Sequence, residues 1–250
     1  MIANDLNAYT IDSLLDRHAA QHPQQIAFDD GLHAIDYAEF NRLVGSLATG
    51  LNQAGVVAGD ALALVLPDRL EFVVAFYAAA RIGALTLPLD PTLNHIELQW
   101  YLADVAPKVV ITDAHALGAC RQAITQTNPQ PRIIVCDVPG PDGLNALFCE
   151  PPLPPTRPVL ERPLVCFHTS GSTGRPKRVV LSHGNLAAEV SQFVTAATLD
   201  ATDTILCLAP LNHSYALENA MLAALGTGCT LGILPPDATP LIARLIDVVS

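Results

Sequence analysis

Continuous apolar runs separated by helical patterns constrain the fold of this chain more than any other feature. The runs occupy residues 61–66, 84–89, 108–112 and 132–136, with helical patterns near 68–80, 93–105 and 114–127. Asp68 and Glu71 open the first of these helices, and Gly83 ends it. Such runs lack the alternation expected of a strand with one solvated face, and they are typical of parallel strands covered by helices on both sides. Right-handed crossovers join strands of this kind. The sequence therefore predicts an α/β fold with a doubly wound, mostly parallel sheet flanked by helices.

The first 55 residues predict helices around a short hairpin. Thr10 can cap a first helix, and Asp29-Asp30-Gly31 contains the Asp-Gly pair typical of a tight hairpin turn. Asp36 stands three residues before Glu39, a spacing typical of a helix start, and apolar residues at helical spacing follow as far as Gly55. These elements supply packing surfaces, and no chemistry is assigned to them.

Residues 139–163 hold eight of the twenty prolines and show little periodicity. Proline fixes φ and removes a backbone donor, so this segment is predicted to be a linker outside the sheets. The predicted division is an N-terminal α/β subdomain at 1–138, the linker at 139–163, and the start of a second α/β subdomain at 164–250. A P-x-x-P ligand for an SH3-like partner is the alternative, and a single stretch inside a folded chain disfavours it.

The alternation of strands and helices resumes after the linker. Strands are predicted at 203–208 and 229–234, and helices at 184–197, at 214–225 ending at Gly226, and at 240–249. The last helical pattern is amphipathic and has no stop signal before Ser250. We therefore expect the second α/β unit to be incomplete in these 250 residues.

The stretch at 167–181 has the composition of a loop that binds an anion. It consists of F-H-T-S-G-S-T-G-R-P-K-R-V-V-L, with strand-like apolar runs on both sides. Its glycines allow positive φ and close approach of a ligand to the backbone, its hydroxyls donate hydrogen bonds, and its lysine adds a cation. We predict a strand–loop–strand site for polyphosphate. The predicted binding residues are Thr169, Ser170, Gly171, Ser172, Thr173, Gly174 and Lys177.

Two other interpretations of this loop are weaker. A P-loop NTPase or kinase would need G-x-x-x-x-G-K-[ST] leading into a helix, whereas Lys177 lies three residues after Gly174 and precedes a β-branched run. A flexible Ser/Gly turn is the usual explanation of such a composition. Nine residues in this order between two strands favour the phosphate site.

Charge and cysteine content exclude several classes of function. The net charge is −11 with only 13 Lys and Arg, which argues against a nucleic-acid surface. No apolar run approaches the roughly 20 residues that span a bilayer, and acidic residues near the N-terminus are unlike a signal peptide, so a cytoplasmic protein is expected. None of the six cysteines forms a C-x-x-C pair, which makes a zinc site improbable and favours reduced structural thiols.

Several stretches resemble the adenylate-forming (ANL) superfamily, which includes acyl-CoA synthetases, aryl-acid ligases, nonribosomal adenylation domains and luciferases. T-S-G-S-T-G-R-P-K at 169–177 resembles its signature loop. Residues 35–40 and 80–91 resemble two further elements to which we assign no chemistry, and A-P-L-N-H-S-Y-A at 209–216 resembles a segment of the acyl-CoA synthetase branch. The resemblance covers nearly the whole chain and implies the N-terminal subdomains of an adenylate-forming enzyme.

The resemblance implies a role for the polar residues of these motifs. Lys177 and the loop hydroxyls would hold the β- and γ-phosphates of ATP, and Thr169 would share Mg²⁺ with the polyphosphate. His213 would shape the carboxylate end of the acid pocket. Taken alone, a histidine at a strand-to-helix junction is more often a cap or a core residue.

Three residues near the loop match no catalytic position of the family. His168 stands where the family frequently has an aromatic residue, and His183 follows the second strand-like run. Structural roles are predicted for both histidines. Arg178 stands where the family usually has glycine, and it either reaches phosphate or points to solvent.

The activity that the resemblance implies is ATP-dependent ligation of a carboxylic acid. The carboxylate would attack the α-phosphate to give an acyl-adenylate, and CoA or the phosphopantetheine of an acyl carrier protein would then take the acyl group. The histidine segment favours acyl or aryl acids over amino acids. Because the later family elements do not occur here, we expect the N-terminal portion of a longer enzyme. The alternative is a truncated fragment without independent activity that binds nucleotide or a partner chain.

Overall fold

The structure, a computed structural model, describes residues 6–155, 159–169 and 176–234 as an alternation of helices and strands. The predicted α/β class is confirmed. The strands are β1 (Ile26–Asp29), β2 (Ala34–Asp36), β3 (Ala61–Val65), β4 (Leu85–Leu89), β5 (Val109–Thr112), β6 (Arg132–Val135), β7 (Pro163–Thr169), β8 (Lys177–Ser182), β9 (Thr204–Cys207) and β10 (Thr230–Ile233). The helices are α1 (Ile11–Gln21), α2 (Tyr37–Gln53), α3 (Leu70–Ile82), α4 (His95–Val105), α5 (Leu117–Ile124), α6 (His183–Ala197), α7 (Ser214–Ala216) and α8 (Ala223–Thr227).

Local sequence signals fix the ends of the two central helices. The Asp36 carboxylate accepts a hydrogen bond from the backbone N–H of Glu39 at 2.8 Å, which satisfies one of the free donors at the start of α2. Gly83 ends α3 with φ at 84°, a left-handed conformation that glycine adopts without steric cost. The cap at Asp36 was predicted from the sequence, and so was the stop at Gly83.

The larger sheet has the strand order β6-β5-β3-β4-β7-β8 and is parallel except for β8. Every residue of β3 is buried. Leu62 and Leu64 belong to the main hydrophobic cluster, which contains the buried faces of α2 and α3. Ala63 and Val65 point to the other side, into a cluster with residues of α4 and α5. Helices therefore cover both faces of this sheet, and a ligand can approach only at the ends of its strands.

The smaller sheet has the order β2-β1-β10-β9 and joins the first part of the chain to the last described part. β1 pairs with β2 in an antiparallel hairpin and with β10 in parallel, with Phe28 opposite Leu231. The Tyr37 hydroxyl donates to the carbonyl of Cys229 at 2.7 Å, across 192 residues of sequence. The hairpin that the sequence predicts is therefore one edge of a sheet that is completed by distant strands.

The proline-rich segment at 139–163 lies partly against α2. The backbone N–H groups of Cys149 and Leu153 donate to the carbonyls of Ser46 and Gly45 at 3.1 and 3.0 Å. Small side chains on this face of α2 allow the two backbones to approach. The predicted division of the chain at this segment stays a prediction, and each sheet contains strands from both sides of it.

The helical region after β9 differs from the predicted single helix that ends at Gly226. α7 continues into a π-helical segment, Leu217–Leu222, and then into α8. Gly226 is a buried helical residue of α8, whereas Gly228 has φ at 91° and ends the helix. The prediction of Gly226 as the end was wrong because the positive φ that stops the helix lies two residues later. The predicted helix at 240–249 lies outside the described residues.

No helix within the described ranges combines the length and the apolar composition needed to cross a bilayer.

His183, the first residue of α6, joins that helix to α1. Its side chain is buried, and Nδ1 accepts a hydrogen bond from the backbone N–H of Ile11 at 3.2 Å. Burial, with a smaller contribution from the charge of Arg162, lowers the pKa of His183 to about 4. The neutral ring is therefore part of the folded structure, in agreement with the structural role predicted for this residue.

Close packing of α2 generates a first prediction. A Cβ atom on Gly50 would lie 1.8 Å from the carbonyl oxygen of Leu147, which belongs to a 3₁₀ turn after β6. Gly50→Ala should therefore lower the free energy of unfolding by about 2 kcal/mol, measured by urea denaturation. Gly118→Ala is the matched control, because it also lies in a helix but has open space. The control should be neutral or stabilising by up to about 1 kcal/mol, and equal stabilities of the two variants would contradict the close approach.

The buried His183 generates a second prediction. Below an unfolded pKa of about 6.5 the unfolded chain gains a proton that folded His183 does not accept until about pH 4. His183 therefore does not reduce the free energy of unfolding above about pH 6.5. Between pH 7 and pH 5 its effect lowers that free energy by about 2 kcal/mol. His183→Asn keeps an acceptor for Ile11 but does not titrate, so its urea midpoint should lose less over this interval. His115→Asn, at an exposed histidine, should follow the wild type, and identical profiles for His183→Asn and wild type would contradict the assignment.

Candidate active site

The hairpin of β7 and β8 holds the two ends of the predicted phosphate loop. Its final cross-strand pair before the loop is Thr169 opposite Lys177. Directly opposite residues of an antiparallel pair project to the same face, so the hydroxyl and the ammonium group lie on one side of the hairpin. The Thr169 hydroxyl is 3.4 Å from the carbonyl oxygen of Lys177, to which it donates. The two ends of the motif are therefore adjacent, although they lie eight positions apart in the sequence.

The interior of the predicted loop is not covered by the structure. Ser170, Gly171, Ser172, Thr173 and Gly174 lie outside the described residues. Their roles as phosphate-binding residues stay predictions. The two residues that the structure does describe, Thr169 and Lys177, are both exposed and accessible to a ligand.

A cavity of about 310 Å³ lies at the carboxyl ends of β4 and β7. This is the edge at which parallel α/β sheets bind ligands. Thr169 and His213 both line it, together with Asp90, Tyr101 and Asn212. The described lining does not include Lys177. The structure thus brings Thr169 and His213 together at one cavity. Lys177, the third predicted site residue that it describes, lies at the neighbouring end of β8.

His213 lies at the start of α7 and is exposed. Its side chain makes no capping hydrogen bond, whereas its backbone N–H donates to Pro210 and its carbonyl accepts from Leu217, both at 3.0 Å. His213 therefore occupies the N-cap position of α7, but its side chain neither caps the helix nor lies in the core, the two ordinary explanations for a histidine at such a junction. Its backbone is held in place while its ring is available to the cavity.

His168 and Arg178 converge on one carboxylate of α4. The His168 Nε2 atom is 3.0 Å from Oδ2 of Asp104, and the ring packs edge-on against Trp100 and Tyr101. Arg178 donates to the Asp104 carbonyl at 3.3 Å, and its Nε atom is 3.8 Å from Oδ2. Arg178 is exposed, as the predicted solvent alternative implies, and it also makes this contact with α4, which was not predicted. These contacts connect β7 and β8 to α4 beside the cavity, which His168 also lines.

Two acidic residues near the site carried no predicted chemistry. Asp68 was predicted to open α3, but its carboxylate accepts from the backbone N–H of Leu211 at 2.7 Å. Asp90 lines the cavity and accepts hydrogen bonds from the backbone and hydroxyl of Thr92. The first contact spans 143 residues, so no local pattern could have revealed it. Asp90, by contrast, lies in the stretch at 80–91 that resembles a family element, so the sequence did contain a signal for this residue.

The described ends of the loop offer a ligand one cation, at Lys177, and one hydroxyl, at Thr169. Within the described ranges, no three His, Cys, Asp or Glu side chains are grouped so that they could hold a metal ion. No carboxylate in these ranges forms an ion pair with Lys177, so its charge is available to an anion. The Thr169 hydroxyl is an oxygen ligand of the kind that Mg²⁺ accepts alongside phosphate oxygens.

Comparisons with known proteins extend over most of the chain. A family model described as AMP-binding enzyme matches residues 15–250. Feruloyl-CoA synthase from Amycolatopsis sp is 34% identical over 216 residues, which cover 86% of this chain and 42% of that protein. Indoleacetate–CoA ligase from Aromatoleum aromaticum is 31% identical over 242 residues, which cover 90% of this chain and 46% of that protein. The chain thus spans less than half the length of these two relatives.

A solved structure extends the comparison to the fold. The inhibitor-bound N-terminal domain of FACL13 from Mycobacterium tuberculosis superposes with a TM-score of 0.84 at 26% identity, covering 96% of this chain and 61% of that one. The family model matches far more than half of the chain, and the superposition extends over nearly all of it. The chain therefore belongs to the AMP-binding enzyme family, and it corresponds to the N-terminal part of an adenylate-forming enzyme.

Proposed function

We propose that the protein to which this chain belongs is an ATP-dependent ligase for acyl or aryl acids. The observation that carries the proposal is the cavity shared by Thr169 and His213, because it joins the phosphate-type hairpin to the segment predicted to meet the acid. The names of the relatives, which are CoA ligases and synthases, support the same reaction class.

The first step would transfer the adenylyl group of ATP. A carboxylate oxygen attacks the α-phosphorus, the bond to the bridging oxygen breaks, and pyrophosphate leaves with the electron pair. Such a step depends on positioning and on neutralising phosphate charge. Lys177 and the loop hydroxyls would bind the β- and γ-phosphates. Mg²⁺, when bound, would neutralise further phosphate charge, with the Thr169 hydroxyl as its proposed ligand.

The acid would enter from the side of His213. Its exposed ring lines the cavity that Thr169 also reaches, so a carboxylate placed there would be near the predicted position of the phosphates. A neutral imidazole can donate one hydrogen bond to a carboxylate, and a protonated ring would add an attractive charge. His213 is therefore the residue proposed to orient the carboxylate for attack.

The second step would transfer the acyl group from the adenylate to a thiol. CoA is the proposed acceptor because the relatives named above are CoA ligases or synthases. A phosphopantetheine on a carrier protein offers the same thiol chemistry and is the alternative acceptor. Product analysis with each acceptor distinguishes them.

The proposed reaction generates a third prediction, to be tested on the full-length protein. With ATP, Mg²⁺ and a panel of short-chain, long-chain, aryl and amino acids, we expect exchange of labelled pyrophosphate into ATP that depends on an acyl or aryl acid. Exchange with amino acids alone would contradict the predicted acid class. ATP binding without exchange for any acid would contradict the ligase proposal and favour a chain that binds nucleotide without activity.

Lys177 generates a fourth prediction. Lys177→Ala should lower kcat/KM for ATP by about tenfold to a hundredfold. The reason is that a hydrogen bond to a charged group contributes about 1.5–3 kcal/mol. Arg178→Ala is the matched control, since the neighbouring cation contacts Asp104 and should leave ATP kinetics near the wild type. Unchanged ATP kinetics in Lys177→Ala would remove the assigned role.

A further inference from the structure

Asp68, which follows β3, is hydrogen-bonded to the segment that carries His213. Its Oδ1 atom accepts from the backbone N–H of Leu211 at 2.7 Å. β3 belongs to the larger sheet, whereas Leu211 lies in the connection between β9 of the smaller sheet and α7. The contact therefore joins the end of β3, in the larger sheet, to the connection between β9 and α7. This connection lies beside the candidate site.

Leu211 is the anchored point of that connection. Its side chain is fully buried in the main hydrophobic cluster, and its N–H is held by Asp68. Loss of the acceptor of a buried amide lowers the free energy of unfolding by about 1–3 kcal/mol. Leu208 and His213, on either side, are exposed. The position of this connection is therefore set at Leu211.

The position of Leu211 determines the position of His213. The N–H of His213 donates to the carbonyl of Pro210 at 3.0 Å, which closes a turn with Leu211 inside it. His213, whose ring lines the cavity with Thr169, therefore lies only two positions after the anchored amide. An error of about 1 Å in the placement of a reacting group can slow a reaction about a hundredfold.

The hydrogen bond from Leu211 also affects the ionisation of Asp68. Burial raises the pKa of the Asp68 carboxyl, while the hydrogen bond from Leu211 and the charge of His213 oppose this rise. An ionised carboxylate accepts a stronger hydrogen bond than a neutral group does.

We propose that Asp68 is a positioning residue for His213: its carboxylate, through the Leu211 N–H, fixes the turn that presents the His213 ring to the acid end of the cavity. The proposal rests on the ligase function proposed above and adds a residue to the acid site. Asp68 itself touches neither substrate nor phosphate in this assignment.

The first test is a double-mutant cycle in the full-length protein, measured by acid-dependent pyrophosphate exchange. Asp68→Ala should lower kcat/KM for the acid by about tenfold, as expected for a lost hydrogen bond to a charged group, and leave KM for ATP within about twofold. Because Asp68 acts through His213, the double variant should fall no further than His213→Ala. Independent, additive losses would overturn the proposal.

Rescue by the conservative variant separates positioning from loss of folding. Asp68→Asn keeps an Oδ1 acceptor for Leu211 and should retain activity within about threefold of the wild type. Glu71→Ala is the matched control, because this nearby carboxylate pairs with Arg69 rather than with the His213 segment. It should keep wild-type acid kinetics. An Asn variant as impaired as the Ala variant would contradict the amide contact.

A readout that does not depend on activity is hydrogen exchange at the Leu211 amide of the same protein. Exchange should become about tenfold faster in Asp68→Ala and stay within about threefold of the wild type in Asp68→Asn and Glu71→Ala. Unchanged exchange in Asp68→Ala would overturn the proposal. If the wild type shows no acid-dependent exchange of pyrophosphate, the ligase proposal fails, and the Leu211 measurement still decides whether Asp68 fixes the turn.

Discussion

Burial of both faces of the larger sheet is the constraint on which the rest of the structure depends. β3 has no exposed residue, so its alternate side chains require apolar partners on two sides. α2 and α3 supply one layer, and α4 and α5 supply the other. With both faces covered, chemistry is confined to the strand ends and to the connections between strands. The cavity at the carboxyl ends of β4 and β7 is a direct result of this arrangement.

The sequence was informative wherever a structural element is determined by residues close together along the chain. The uninterrupted apolar run of β3, the cap at Asp36 and the stop at Gly83 all express local preferences, and the structure has each of them. The order of the strands could not be obtained in this way, because an apolar strand does not specify its neighbour. The end of the helical region after β9 was also misplaced, since two nearby glycines carry the same local signal and packing decides between them.

The same distinction applies to the site. Thr169 and Lys177 were predicted as site residues from the order of residues in one loop, and His213 from a short matching segment, because each motif is contiguous. The proposed positioning role of Asp68 could not be predicted, since its partner is a backbone N–H on a distant segment and leaves no trace in the local pattern. The convergence of Arg178 on Asp104 was missed for the same reason. Contacts that hold a motif in place are thus less visible in a sequence than the motif itself.

The parallel pairing of β1 with β10 has a consequence for the newly made chain. The smaller sheet cannot form until residues near 230 have left the ribosome, about 200 residues after β1. At roughly 5–20 residues per second this interval lasts about ten to forty seconds. Throughout it the β1–β2 hairpin has an unpaired edge, and a lone two-stranded hairpin is only marginally stable. The nascent protein therefore carries a β edge that is open to association with other chains until β10 is available.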